Sequence, residues 1–238
     1  MHWDFALIFL FLGIAVPLLG RRRVHQLMQI PATSKEDRLA LYATTMAFQW
    51  IASGIILWRS AAHGLGAWQL GLGLPRPVAT LAVALGLTAL VLLNQIVGLK
   101  KLAARPDASQ GIVPQLAEKL FPQDNAERLA FFALVVTVAV CEEFIYRGFV
   151  QRVFQNLSGG RAYVAVIGSA ALFALAHLYQ GRRGLVSTFM VGLLFSTVTA
   201  ITLSLMPSIA AHFAADLMAG LLAPKYLAAG RALASTPQ

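Results

Sequence analysis

Seven stretches of this chain are long and apolar enough, or nearly so, to fill the hydrocarbon core of a bilayer. They are Trp3–Gly20, Leu39–Trp58, Val78–Leu99, Leu129–Val150, Ala162–Tyr179, Leu185–Leu205 and Pro207–Ala223, the last being the shortest. A core ~30 Å thick takes roughly 20 residues at ~1.5 Å each. Inside it the backbone must satisfy its own hydrogen bonds, which a helix does within one segment. The chain is therefore expected to be all-α, a polytopic membrane helix bundle of about seven transmembrane helices. Composition supports this where it bears: 58% of the 238 residues are hydrophobic and only 12% charged, about half the charged share of a soluble domain. That apolar content excludes disorder, and a single cysteine, Cys141, cannot close a disulfide scaffold.

The first span is an anchor rather than a cleaved leader, because Asp4 precedes the apolar run and Arg21, Arg22 and Arg23 follow it. With the N-terminus outside, the cytoplasmic segments are 21–38, 100–128, 180–184 and the residues after Ala223. They hold 14 of the 19 Lys and Arg, as the positive-inside rule requires. The net charge of +9 then faces anionic lipid, not nucleic acid. Three regions are expected. Residues 1–128 form an N-terminal three-span region ending in a cytoplasmic connector, where Ile112, Val113, Leu116 and Leu120 recur at helical spacing. Residues 129–223 form a four-helix core, and 224–238 a cytoplasmic tail. The glycine-rich loop 64–73 lacks the Gly-Lys-Ser/Thr ending of a phosphate cradle. Arg outnumbers Lys and the helices are rich in Ala, a composition that suggests a bacterial inner membrane. Oligomeric state is not legible.

Three carboxylates fall within apolar segments: Glu142 and Glu143 in the fourth, Asp216 in the seventh. An ionised side chain at mid-bilayer costs about 3 kcal/mol or more, so each needs a partner. Arg147 follows Glu143 by four residues on the same helical face, which reads as a structural ion pair. Glu142 is offset by ~100° and left free to point elsewhere. His177 lies in the fifth span and His212 in the seventh, with Asp216 four residues beyond His212. Singly, His177 reads as a packing histidine and His212–Asp216 as an interhelical anchor. Two carboxylates and two imidazoles on three apolar helices, with nothing comparable in the first three spans, read as a reaction centre.

Glu142-Glu143-x-x-x-Arg147, then Phe173-x-x-x-His177, then His212-x-x-x-Asp216 resemble the three signature motifs of the CPBP intramembrane proteases (CAAX protease and bacteriocin-processing, or Abi). Order, spacing and placement on hydrophobic helices match over roughly residues 129–223, the four-helix core of that family; Leu70-Gly71-Leu72 resembles a loop often seen before it. The resemblance implies a membrane endopeptidase. Glu142 and His177 would activate a water, His212 and Asp216 would polarise the substrate carbonyl, and Glu143 would pair with Arg147. Eukaryotic prenyl-protein proteases of the family usually have Asn where this chain has Asp216, whereas many bacterial members have Asp. An ionised Asp216 repels an oxyanion, so its better role is to hold His212 protonated or correctly oriented.

No Ser lies in a G-x-S-x-G turn, and Cys141 adjoins an acid, which disfavours a thiolate. Direct attack by water remains, in two versions. Glu142 is a general base, or Glu142, His177 and His212 ligate a zinc ion whose bound water attacks. The partners are the bilayer and a peptide or protein substrate entering from it. Rival readings are a proton- or ion-coupled transporter, which uses the same intramembrane groups, and a non-catalytic bacteriocin-immunity-type membrane protein. The assigned span ends place Glu142 ~20 Å from the inner surface, His177 near that surface and His212 near the outer one. A shared site therefore requires a fourth helix running on to Asn156, a last helix beginning deep at Pro207, or steep tilts.

Overall fold

A computed structural model describes residues 2–104 and 112–234; part of the connector, 105–111, and the end of the tail, 235–238, lie outside the described residues. Every regular element among the described residues is helical. The seven apolar segments become α1 (Trp3–Gln29), α2 (Lys35–Ala62), α3 (Pro77–Ala103), α5 (Asn125–Leu157), α6 (Ala162–Ala176), α7 (Gly181–Thr202) and α8 (Met206–Ala234). The connector supplies α4 (Ile112–Leu120). Among the described residues five helices are long and apolar enough to cross a bilayer, and the apolar parts of α6 and α8 are shorter. The chain is an integral multi-pass membrane protein.

Local chemistry sets the helix ends. Ser34 and Asp37 form a reciprocal capping box at the start of α2. Asp124 accepts from the Glu127 amide, at 2.8 Å, to begin α5. Pro17 has no N–H to give and crowds the preceding turn; a π-helical stretch, Phe11–Ala15, absorbs it within α1. The fourth apolar segment does not end at Val150. It continues through a second π stretch, Phe144–Val150, to Leu157, because Arg147 and Gln151 are buried in protein rather than opening a loop. The seventh does not end at Ala223 either, since helix continues through the expected tail as far as Ala234.

α3 packs along α8, α6 against α7, and α2 against α5. Large apolar side chains such as Leu7, Leu81, Leu85 and Ile201 face outward, where lipid is their solvent. The main core gathers Phe5, Leu12, Ile56, Leu70, Tyr146 and Phe149 from α1, α2, α5 and the loop after α2. That loop presses on the second π stretch: a Cβ on Gly148 would lie 2.8 Å from the Leu70 carbonyl, so only glycine admits this approach. The Leu205 amide donates to the Gly71 carbonyl at 2.8 Å, tying the turn before α8 to the same place.

Two lengths bear on the conflict of depths. α6 has only 15 residues, about 22 Å against a ~30 Å core, with His177 at its C-terminal end. Glu142 lies near the middle of the 33-residue α5.

Candidate active site

Glu142 and His177 line one cavity of about 100 Å³, with Leu12 and Val16 of α1, Gln49 of α2 and Tyr146 of α5 among its walls. His177 caps α6, and its Nδ1–H donates to the Phe173 carbonyl at 2.9 Å. A carbonyl only accepts, so the proton is on Nδ1 and Nε2 remains for chemistry. Gln49 Nε2 donates to Glu142 Oε1 at 2.9 Å. Glu142 Oε2 is buried and has no hydrogen-bond partner among the described residues.

The adjacent Glu143 is held quite differently. Its Oε1 accepts from Arg147 Nη1 at 3.0 Å, the i,i+4 pair expected of it, and also from His212 Nδ1 at 2.8 Å. His212 Nε2 lies 3.5 Å from Asp216 Oδ2. The imidazole thus has a carboxylate at each nitrogen, and its tighter partner is Glu143 on another helix rather than Asp216 on its own. The Phe173 ring stands between the two halves: its centroid is 4.7 Å from that of His177 and 6.3 Å from that of His212, while the Arg147 guanidinium lies 4.0 Å over it. The π stretch turns Tyr146 and Arg147 into this cluster. It also displaces the Tyr146 carbonyl, which accepts from Ser169 Oγ of α6 at 2.7 Å.

Glu142 and His177 therefore come together, and Glu143, Arg147, His212 and Asp216 form a neighbouring group. The expected zinc set of Glu142, His177 and His212 does not assemble. Both nitrogens of His212 face carboxylates, and no three His, Cys, Asp or Glu side chains among the described residues are grouped to hold a metal ion. The residues as placed do not fit that cofactor.

The first three spans are less inert than expected. Beyond Gln49, Asp4 is buried and accepts from Arg59 Nε at 2.7 Å, with His63 Nε2 at 2.8 Å, joining α1 to the end of α2. Arg38 and Glu127, which read as loop charges, form a buried bidentate pair of 3.0 and 2.7 Å between α2 and α5. A single amide amid the apolar residues of α2 was the signal for Gln49, but its partner depends on how the helices pack.

A second, apolar cavity of about 440 Å³ opens between α1, α2, α4 and α5. Leu116 and Leu120 of the amphipathic α4 close one side, and Val16, Phe48, Gln49 and Tyr179 line both this cavity and the small one.

The described helices form a membrane bundle in which Glu142 and His177 line one small cavity next to a larger apolar one. Within it, residues 124–218 match the family described as Rce1-like, type II CAAX prenyl endopeptidase. The match runs from the Asp124 cap through Met218, takes in every motif residue from Glu142 to Asp216, and bears out the family resemblance over that stretch; α1–α4 lie outside it. No curated protein and no solved structure matches the chain.

Proposed function

We propose that this chain is an intramembrane endopeptidase in which Glu142 and His177 activate water against a peptide carbonyl. The observation that carries the reading is their shared cavity, with Glu142 Oε2 buried and unpartnered and His177 Nε2 left free by the Nδ1 bond. Water donates one proton to Glu142 Oε2 while its oxygen, oriented by His177 Nε2, attacks the carbonyl carbon. The proton then passes to the leaving amine nitrogen as the C–N bond breaks, which returns Glu142 to its carboxylate. His212, held between Glu143 and Asp216, lies across Phe173 from this cavity, so it serves as donor to the oxyanion only where the bound carbonyl reaches past that ring and Nε2–H exchanges its 3.5 Å contact with Asp216. Arg147 and Glu143 hold His212 in place. No step is routed through a metal.

The family match is to a CAAX prenyl endopeptidase, and the 440 Å³ cavity suits a substrate with an apolar or lipid-modified tail entering from the bilayer. The charge distribution supports an N-terminus outside and a cytoplasmic C-terminus, and the excess of Arg over Lys with Ala-rich helices supports a bacterial inner membrane. The test uses the purified full chain in nanodiscs with internally quenched peptides ending in a CAAX tail, farnesylated and unmodified. Cleavage of the farnesylated peptide, unchanged after chelation, is expected. Failure to cleave either peptide overturns the endopeptidase reading for this tail. Loss on chelation with recovery on adding zinc overturns the metal-free mechanism.

A further inference from the structure

Gln49 is the only side chain outside the matched stretch whose hydrogen bond to a motif carboxylate is seen among the described residues. It sits on α2, is 9% exposed, and lines both the catalytic cavity and the apolar one. A carboxylate on a flexible stem has several rotamers, and a base must present one oxygen to water while the other is held. Glu142 meets that requirement through Gln49 alone among the hydrogen bonds observed: Oε1 takes the amide proton and Oε2 takes none. Its neighbours on the chain do not replace this contact, since Arg147 bonds Glu143 instead. The donor's chemistry also matters. An N–H on a carboxylate oxygen favours the ionised form, the form a general base needs, whereas a cation there would hold the base too firmly in its ionised state.

We infer that Gln49 is a positioning residue of the catalytic apparatus, an amide supplied by α2 that orients the Glu142 carboxylate and keeps Oε2 toward the reacting water. The inference rests on Glu142 being the base. Because Gln49 also lines the apolar cavity, a substrate whose apolar part occupies that cavity meets the same side chain that orients the base.

The test is carried out on the full chain in nanodiscs with the farnesylated quenched CAAX peptide. Gln49→Leu keeps the volume and removes the donor. A fall in kcat of about 10–100-fold is expected, with KM within about twofold and the acidic limb of the kcat/KM profile moved to higher pH. Gln49→Glu is isosteric and donates only while protonated, so its rate relative to wild type is expected to fall further as pH rises. Wild-type kcat and pH profile in both variants overturn the inference, as does a deficit independent of pH and accompanied by an equal loss of Tm. Where Gln49→Leu does not fold, the pH dependence of Gln49→Glu decides, and a flat ratio overturns the assignment. Glu142→Gln is measured alongside. If it stays active, the reading of the site falls; if it is inactive while the Gln49 variants behave as wild type, only the role of Gln49 falls.

Discussion

Of the three carboxylates on helix α5, Glu127 and Glu142, about four turns apart, are treated in opposite ways. Near its start Glu127 is 1% exposed and fully engaged: Oε1 accepts from Arg38 Nη2, Oε2 from Arg38 Nε and from the Gln123 amide, and Arg38 Nη1 donates to the Thr33 carbonyl. At mid-helix Glu142 has one neutral donor and one buried oxygen with no partner among the described residues, facing a cavity shared with an imidazole. A buried charge with both oxygens engaged is a fastening: it joins α2 to α5 and is held away from reaction. A buried charge held by a single amide keeps an oxygen available at a cost in stability, which is what a base inside a membrane requires.

The comparison breaks most readily at the fastening. Glu127→Leu leaves the Arg38 guanidinium buried without a counter-charge and should destabilise the fold by about 3–5 kcal/mol, read as a lowered Tm in nanodiscs. The double replacement Arg38→Leu/Glu127→Leu should recover most of the loss. Equal instability in the double variant would show that the pair does more than neutralise itself. Between the extremes stands Glu143, which is engaged by Arg147 and His212 but touches no cavity water in the proposed mechanism. Glu143→Gln should reduce kcat about 10–100-fold through His212 and also lower Tm, because the buried Arg147 loses its counter-charge; wild-type kcat would remove His212 from the site.

The smallest effect lies at the exposed end of the same interface. The Lys35 ammonium, 2.5 Å away, holds the Asp124 carboxyl below its ordinary value. A carboxyl with a depressed folded-state value adds stability above its unfolded value and loses it as pH falls through the folded one. Asp124→Asn keeps the helix cap and loses only this exposed pair, so its Tm should fall slightly near neutral pH and match wild type in acid or in high salt. A large, salt-independent drop would mean that the pair belongs to the fastening after all.

Much of this was legible in the chain because it is local. Apolar runs of about bilayer length located seven helices, five of which are long enough to cross a bilayer among the described residues, and four-residue spacing puts Arg147 beside Glu143. Interhelical partners were not legible. Spacing pointed His212 to Asp216, whereas its nearer carboxylate is Glu143 on α5. Gln49, Arg38 and Glu127 acquire their meaning only when α2 lies against α5, and no periodicity encodes that register. The boundary placed at Val150 failed for a related reason: the apolar run stops at the polar Gln151 and Arg152, and that Gln151 is buried is evident only with the neighbouring helices in place.

The account's central claim is that the two adjacent glutamates of α5 divide chemistry from support, and the cleavage rate of Glu142→Gln in folded protein tests it most directly. With the farnesylated CAAX peptide and wild-type Tm as the criterion of folding, the account predicts a loss of about 10²–10⁴-fold. A Glu142→Gln protein that cleaves this peptide at the wild-type rate would contradict it.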